Sequence, residues 1–124
     1  MFFDLQIDKK VKNRSHYMFA LIDPDKKSNK DLTNIVSKIN SANFDAILVG
    51  GSTLSKECFV AAIKQIKKLT KLKIIIFPSS SLHIAEDVDA ILFTTLLSSK
   101  IRKYLVGEQL KASKIIHNSN VKVV

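Results

Sequence analysis

The 124-residue sequence is poor in the residue types that mark several special classes of protein. Cys58 is its only cysteine, which excludes an internal disulfide and a cysteine-rich metal site. Aromatic residues make up 7% of the chain and do not alternate with the lysines, so we expect no base-stacking surface for nucleic acid. No apolar run approaches the roughly 18 residues of a membrane span. An acidic residue follows the first three residues, so we expect no signal peptide and a cytoplasmic location.

Acidic residues are also few, since eleven Asp and Glu stand against twenty Lys and Arg, giving a formal net charge of +9. Such an excess fits an anionic substrate, a membrane surface or nucleic acid. Lysines spread over solvated helix faces explain it as well. Because no helix-turn-helix or RRM signature is present, we expect no nucleic-acid partner, and peripheral contact with a membrane stays open. The hydrophobic fraction of 46% is typical of one globular domain, here residues 1–124.

The sequence does contain a regular alternation of short apolar runs and amphipathic stretches. Apolar runs of this length, bounded by turn residues, predict strands that are buried on both faces. After Ser28 or Asn29, and again after Ser55, apolar residues recur at helical spacing, so these residues are candidate helix caps. A further helix is predicted over residues 101–116. The predicted strands cover residues 18–22, 46–49, 72–77, 90–93 and 121–124.

The order of these elements indicates an α/β protein. About a dozen residues separate the third and fourth strands, which is short for a crossover helix, so only a short helical turn is predicted there. The first fifteen residues predict an arm or a short helix. Alternation of strands and helices implies a parallel sheet with helices outside it. Two architectures fit this order: a doubly wound sandwich and part of a (β/α)₈ barrel.

Polar residues and glycines follow the predicted strands at their carboxyl ends. In both architectures these ends meet at one edge of the sheet, where active sites form. Pro24 favours an extended conformation for Asp23 at the end of the first strand. Gly50-Gly51-Ser52 follows the second strand, and hydroxyl residues follow the third and fourth. A carboxylate with hydroxyls suits Mg²⁺, which takes one or two carboxylates together with waters and substrate phosphates.

The remaining candidate residues give weaker signals. The Gly50-Gly51 turn allows a phosphate to approach the backbone, and the N-terminus of the following helix favours an anion, although such runs are often ordinary turn chemistry. His16, His83 and His117 lack metal-ligand spacing, so we expect them at the surface or in packing. Cys58 is expected to be structural, because no partner residue activates its thiol.

Several segments, in their order and spacing, resemble the geranylgeranylglyceryl (or heptaprenylglyceryl) phosphate synthase family. The resemblance covers nearly the whole chain from about residue 16. No single segment is diagnostic, and the combination carries the resemblance. The segments are Leu-Ile-Asp-Pro-Asp-Lys at 21–26, Asp-Ala-Ile-Leu-Val-Gly-Gly-Ser-Thr at 45–53, Ile-Phe-Pro at 76–78, Asp-Ala-Ile-Leu-Phe at 89–93 and Tyr-Leu-Val-Gly at 104–107.

The resemblance implies a modified (β/α)₈ TIM barrel, of which this chain supplies the N-terminal half with four to five strands. It implies a Mg²⁺-dependent prenyltransferase that joins a prenyl group from a prenyl diphosphate to sn-glycerol 1-phosphate. Carried over by position, Asp23 and Ser52 are metal ligands, Gly50 and Gly51 leave room for the diphosphate, and Tyr104 lies beside the prenyl channel. No catalytic residue is assigned. A homo-oligomer is expected, as in relatives.

Three differences from the family pattern accompany this resemblance. Relatives usually read Pro-Gly-Asn after the third strand, whereas Pro78 is followed here by Ser79-Ser80, and they usually carry Asn where this chain has Ser98. A whole barrel needs about 250 residues, and the family holds glycerol phosphate in loops of the later strands, which lie beyond residue 124. From the residues alone, a small doubly wound module that binds a phosphorylated ligand without catalysis stays the alternative.

Overall fold

A computed structural model describes residues 16–25 and 27–124 of the chain. The arm or helix predicted for the first fifteen residues lies outside the described residues. The elements, in chain order, are β1 (Phe19–Ile22), α1 (Asn29–Ser41), β2 (Ala46–Gly51), α2 (Lys56–Leu69), β3 (Lys73–Pro78), β4 (Ala90–Ile91), a π-helical turn (Lys103–Gly107), α3 (Glu108–His117) and β5 (Lys122–Val123).

The five strands form one parallel sheet in the order β1-β2-β3-β4-β5. A doubly wound sheet reverses its strand order at a switch point, where its ligand binds. Here each strand pairs with the one before it, as in a (β/α)₈ barrel. The consecutive order therefore favours the barrel over the doubly wound alternative. It also brings the carboxyl ends of all five strands to the same edge.

The first two helices begin where their caps predict. Ser28 accepts a 3.2 Å hydrogen bond from the backbone of Asp31, whose carboxylate accepts one of 3.1 Å from the Ser28 backbone, completing a capping box. Ser55 caps α2 by accepting from the backbone of Cys58. A cap of this kind typically stabilises a helix by about 1 kcal/mol. Polar side chains thus fix where both helices start.

The larger apolar core lies between the helices and one face of the sheet. Every third or fourth residue of α1 and α2 points into it, which confirms the predicted helical stripes. Its buried residues include Leu32, Val36 and Ile39 of α1, Phe59, Ile63 and Ile66 of α2, and Ile47, Val49, Ile74 and Ile76 of the sheet.

A smaller cluster occupies the opposite face of the sheet, where Ala46, Ile75 and Ala90 are fully buried. The central strands β2 and β3 are therefore covered on both faces, as the continuous apolar runs predict. Towards the carboxyl ends this second face opens, since Leu21 is 59% and Phe77 43% exposed. Apolar side chains consequently line the approach to the edge where polar residues gather.

The connection from β3 to β4, for which only a short helical turn is predicted, contains no regular element. It contains one turn, closed by a 3.1 Å hydrogen bond from the His83 backbone to the Ser80 carbonyl, and no helix. Ile84 and Ala85 are 4% and 5% exposed and belong to the larger core. Two residues of non-helical chain thus fill space that a crossover helix would cover.

The last helix covers the predicted segment without a break, but its first part is π-helical. A π-helical turn at Lys103–Gly107 precedes α3, and the Tyr104 carbonyl accepts a 3.2 Å hydrogen bond from the Leu96 backbone. The carbonyl of Tyr104, which lies in the π-helical turn, thus has a hydrogen-bond partner outside the helix. Turns of this type often occur at functional sites. Strand β4 is shorter than predicted, at two residues. None of the helices described here is long and apolar enough to cross a membrane.

Candidate functional site

A cavity of about 460 Å³ opens at the carboxyl ends of the strands. The five residues predicted from the sequence all line it, so the structure brings together Asp23, Gly50, Gly51, Ser52 and Tyr104. Four of them come from the ends of β1 and β2, and Tyr104 comes from the π-helical turn on the other side. Residues that are far apart in sequence therefore contribute to a single site.

The lining of this cavity combines polar and apolar side chains. The polar residues follow the strands or begin α3, whereas the apolar ones come from the open sheet face, from β4 and the segment after it, and from the last helix. The polar set includes Asp23, Ser52, Ser79, Ser80, Thr94 and Glu108, and the apolar set includes Leu21, Phe77, Leu92, Phe93, Leu96 and Ala112. Such a lining suits a ligand with one charged end and one apolar end.

Asp23 lies directly after β1 with its side chain exposed. Its Oδ1 accepts a 2.9 Å hydrogen bond from the backbone N–H of Asp25, a turn that fixes the orientation of the carboxylate. The Oδ2 atom makes no hydrogen bond to the described part of the chain. Asp23 can therefore give an oxygen to a cation without breaking an internal contact.

Ser52 follows β2 and is also exposed. Its backbone N–H donates a 3.1 Å hydrogen bond to Oδ2 of Asp25. Its hydroxyl, by contrast, has no hydrogen-bond partner among residues 16–25 and 27–124. The backbone at Ser52 is thus fixed while its side-chain oxygen stays open to a ligand.

Asp25, which sequence reasoning did not single out, does not line the cavity but is hydrogen-bonded to Asp23 and Ser52, which do. Its Oδ2 accepts three hydrogen bonds from the chain after β2: from the Ser52 backbone at 3.1 Å, the Thr53 backbone at 2.8 Å and the Thr53 hydroxyl at 2.5 Å. The Thr53 hydroxyl above all, with the two backbone donors, holds the pKa of this carboxyl below its ordinary value. The sequence did show a second carboxylate two residues after Asp23. Its role could not be predicted from this, because its hydrogen-bond partners lie 27 and 28 residues away in the chain.

The two glycines of β2 have local packing reasons to be glycine. A β-carbon at position 50 would lie 2.8 Å from the carbonyl oxygen of Phe77, and one at position 51 would lie 2.5 Å from Oδ1 of Asp25. Both distances are shorter than real β-carbon contacts. The absence of a side chain at Gly50 therefore lets strand β3 approach, and its absence at Gly51 leaves room for the Asp25 carboxylate. Because both glycines line the cavity, their expected role beside a diphosphate stays a prediction.

The predicted contribution of the α2 N-terminus to anion binding finds no support in the geometry. Ser55 already accepts from the Cys58 backbone, and Glu57 occupies the first turn. Hydrogen bonding by backbone N–H lowers the pKa of Glu57, and none of these residues lines the cavity. The chain itself thus supplies the acceptor and the negative charge that this terminus favours.

His83 is a buried packing residue, 2% exposed. Its Nδ1 lies 3.0 Å from the Ser79 hydroxyl, its Nε2 lies 3.1 Å from the Leu54 carbonyl, and its ring stacks on Phe59 at 4.7 Å. Both ring nitrogens are therefore occupied by partners within the chain, which agrees with the packing expectation.

Three other residues, His16, His117 and Cys58, were expected to lie at the surface or to have a structural role. His16 and His117 are exposed, as expected. Cys58, for which a structural role was expected, is an exposed free thiol on α2 and does not line the cavity. The structure gives Cys58 no packing role.

The far wall of the cavity is tied together by the residues that begin α3. The Gln109 side chain donates a 2.6 Å hydrogen bond to the Thr94 carbonyl, and the Glu108 carboxylate accepts one of 2.6 Å from the Ser81 backbone. The Ser81 N–H, assisted by Lys111 and Lys103, lowers the pKa of Glu108. These contacts join the segments after β3 and β4 to α3 beside Tyr104.

The donor set at the polar end fits a hard cation. Within the described ranges, no three His, Cys, Asp or Glu side chains converge as a metal cluster. The open oxygens of Asp23 and Ser52 match the pattern of Mg²⁺, which takes one or two protein oxygens and completes its shell with waters and phosphate. Bound Mg²⁺ would draw a phosphorylated group to this end of the cavity.

Comparison with known proteins gives a consistent result. The model of the PcrB family matches residues 9–123. The geranylgeranylglyceryl phosphate synthase of Thermoplasma volcanium is 41% identical over 112 residues, which cover 90% of this chain and 44% of the relative. The enzyme of the same name from Flavobacterium johnsoniae is 35% identical over 119 residues, covering 96% of this chain and 49% of the relative.

A solved structure shares the fold. The (S)-3-O-geranylgeranylglyceryl phosphate synthase of Thermoplasma acidophilum, in complex with its substrate sn-glycerol-1-phosphate, matches with a TM-score of 0.85 and 36% identity. The match covers 96% of this chain and 48% of that chain. This chain thus spans about half the length of the curated relatives and of the solved structure that it matches.

Proposed function

The chain belongs to the PcrB family, and on that premise we propose that residues 1–124 form the N-terminal half of a prenylglyceryl phosphate synthase barrel. The proposed reaction moves a prenyl group, geranylgeranyl or similar, from its diphosphate to sn-glycerol 1-phosphate and forms an ether. The observation that supports it most is one cavity that combines the open oxygens of Asp23 and Ser52 with an apolar wall.

The polar end would bind the diphosphate through a cation. Asp23 gives a carboxylate oxygen and Ser52 a hydroxyl oxygen. Asp25 contacts both residues, because its backbone N–H donates to Asp23 and its carboxylate accepts from the Ser52 backbone. Mg²⁺ bound there would neutralise the negative charge that grows on the diphosphate as its bond to the allylic carbon breaks. Gly50 and Gly51 keep the floor of this end free of side chains.

The apolar wall would hold the prenyl chain. Leu21, Phe77, Phe93 and Tyr104 are each between 39% and 59% exposed and line the same cavity. Covering such surface with a hydrocarbon chain yields about 25 cal/mol per Å² of apolar area removed from water. Binding of the donor therefore gains from both ends of the cavity, from charge at one and from apolar contact at the other.

The acceptor half of the reaction would lie elsewhere. The Thermoplasma acidophilum relative binds sn-glycerol-1-phosphate, and from the family resemblance we expect those contacts on later strands. We propose that this chain supplies the magnesium and prenyl diphosphate site. Binding of the donor is then the property to test, because it does not require the acceptor contacts.

The test is titration of the protein with geranylgeranyl thiodiphosphate, a slowly reacting donor analogue, with Mg²⁺ or with EDTA. We expect binding that depends on Mg²⁺ and weakens at least about tenfold in Asp23→Asn and in Ser52→Ala, a loss of about 1.4 kcal/mol or more. Asp87→Asn is the matched control, because Asp87 is an exposed carboxylate paired with Lys67 and does not line the cavity. Equal binding in EDTA, or an unaffected Asp23→Asn, would overturn the proposal.

We also propose that the protein self-associates, and that it meets membranes only peripherally, from the cytoplasm. Leu97 and Leu110 are 85% and 66% exposed, and contact with a second copy would remove such apolar side chains from water. Light scattering over a range of concentrations should show a dimer or larger species, and a monomer throughout would contradict self-association.

A further inference from the structure

The two carboxylate oxygens of Asp25 have opposite surroundings. Oδ2 accepts three hydrogen bonds, from the Ser52 backbone and from the backbone and hydroxyl of Thr53. Oδ1 is shielded from solvent and has no hydrogen-bond partner in the described part of the chain. One oxygen of the same group is thus fully used and the other is left unpaired, a rare arrangement for a buried polar atom.

The unpaired oxygen lies close to the proposed metal ligands. A β-carbon at position 51 would lie 2.5 Å from Oδ1 of Asp25 and 3.6 Å from Oδ1 of Asp23, so both oxygens surround the same point beside Gly51. The Asp25 backbone also donates directly to Asp23. Two negative charges are therefore held side by side, and a cation at Asp23 would relieve their repulsion.

The geometry points to Asp25 as a positioning residue of the cation site, which acts through the backbone that carries Ser52 and through the negative charge that it holds beside Asp23. This inference rests on the proposed function, since it requires a cation at Asp23. Asp25 does not need to touch the metal: its Oδ2 holds the turn, and its Oδ1 strengthens the local field.

The inference predicts a dependence on the cation that a purely structural role would not give. In EDTA, Asp25→Asn should unfold only slightly below the unchanged protein, because an amide oxygen still accepts the hydrogen bonds of the turn, although more weakly than a carboxylate. With Mg²⁺ and inorganic pyrophosphate, the unchanged protein should be stabilised more than the variant, because ligand binding adds to the stability of the folded state.

The affinity itself can be measured with the Mn²⁺–pyrophosphate complex, followed by the relaxation of water protons. We expect Asp25→Asn to bind this complex about tenfold more weakly, as is common for residues that support metal ligands. Asp31→Asn is the matched control. Asp31 likewise accepts from a hydroxyl and a backbone N–H, but in the capping box of α1 and with no hydrogen bond to Asp23 or Ser52 in the described part of the chain. Its substitution should leave the affinity unchanged.

The outcomes separate this inference from the proposed function. If Asp23→Asn loses Mn²⁺–pyrophosphate binding but Asp25→Asn binds normally, or is destabilised equally with and without the cation, the inference alone is wrong. If the unchanged protein shows no binding that depends on Asp23, both fail. Should Asp25→Asn not fold, Thr53→Val must weaken binding at least about twofold, because it removes one of the three donors that hold the turn; an unchanged affinity would again refute the inference.

Discussion

The hydroxyl of Ser79 lies 2.6 Å from the carbonyl oxygen of Gly51 and joins the end of β3 to the end of β2. The same hydroxyl lies 3.0 Å from Nδ1 of His83, whose other ring nitrogen contacts the Leu54 carbonyl. Together with Asp25 on the β1 side, these contacts hold the chain from Gly51 to Leu54 from both sides. The turn that carries Ser52 is therefore fixed before any ligand binds.

Ser79→Ala should loosen this turn. The substitution removes the donor to Gly51 and a partner of the buried His83, so we expect a loss of about 1 kcal/mol in the free energy of unfolding. Urea denaturation measures it. Ser113→Ala, which removes an exposed hydroxyl bonded within α3, should change stability by less than about 0.5 kcal/mol. Equal effects of the two substitutions would show that the Ser79 contact adds nothing.

Gly50→Ala and Gly107→Ala should have opposite effects. At position 50 the new methyl group meets the Phe77 carbonyl at 2.8 Å, so strand β3 must shift and we expect a loss of about 1–3 kcal/mol. At position 107 the nearest atom lies 3.6 Å away, and alanine favours a helix over glycine by about 0.5–1 kcal/mol. Thermal unfolding of both variants checks this, and a destabilised Gly107→Ala would contradict it.

Tyr104→Ala should weaken the binding of the prenyl chain but not of the diphosphate. The ring lines the cavity from the π-helical turn after β4, whereas Asp23 and Ser52 follow β1 and β2, so its loss removes apolar contact while the polar end stays intact. We expect about tenfold weaker binding of geranylgeranyl thiodiphosphate and unchanged binding of pyrophosphate with Mg²⁺. Ile115→Ala, an exposed apolar residue of α3 outside the cavity, serves as control. If Tyr104→Ala also lost pyrophosphate binding, the separation of a prenyl-binding wall from a diphosphate-binding end would be refuted.

Glu108 should contribute to the pH dependence of stability. Because the Ser81 N–H lowers the pKa of Glu108 in the folded state, its contribution is complete above the unfolded pKa of about 4.3 and is lost as the pH falls through the folded value. Between pH 6 and pH 3, the free energy of unfolding should therefore fall by about 1 kcal/mol more than in Glu108→Gln. Urea denaturation at several pH values measures this difference, and identical slopes would disprove it.

Interactions between residues near each other in sequence determined where the helices start, which faces are buried and where the first strand ends. Ser28 and Ser55 begin helices because a side-chain oxygen can satisfy a backbone N–H three residues on. The apolar periodicity of α1 and α2 selects the buried faces, and Pro24 places Asp23 just past the end of β1. With parallel strands implied, these local signals suffice to expect Asp23, Gly50, Gly51 and Ser52 at one edge.

Only the tertiary structure decided the rest. The consecutive strand order separates a barrel from a doubly wound sheet, and no local pattern contains that order, because it depends on pairing between distant strands. The π-helical turn contains Tyr104, whose carbonyl accepts a hydrogen bond from the Leu96 backbone, and helix propensity does not predict such a contact. The role of Asp25 arises from donors 27 and 28 residues away. Sequence periodicity reports which face of an element is buried, whereas the partners of a polar side chain depend on which segments folding brings together.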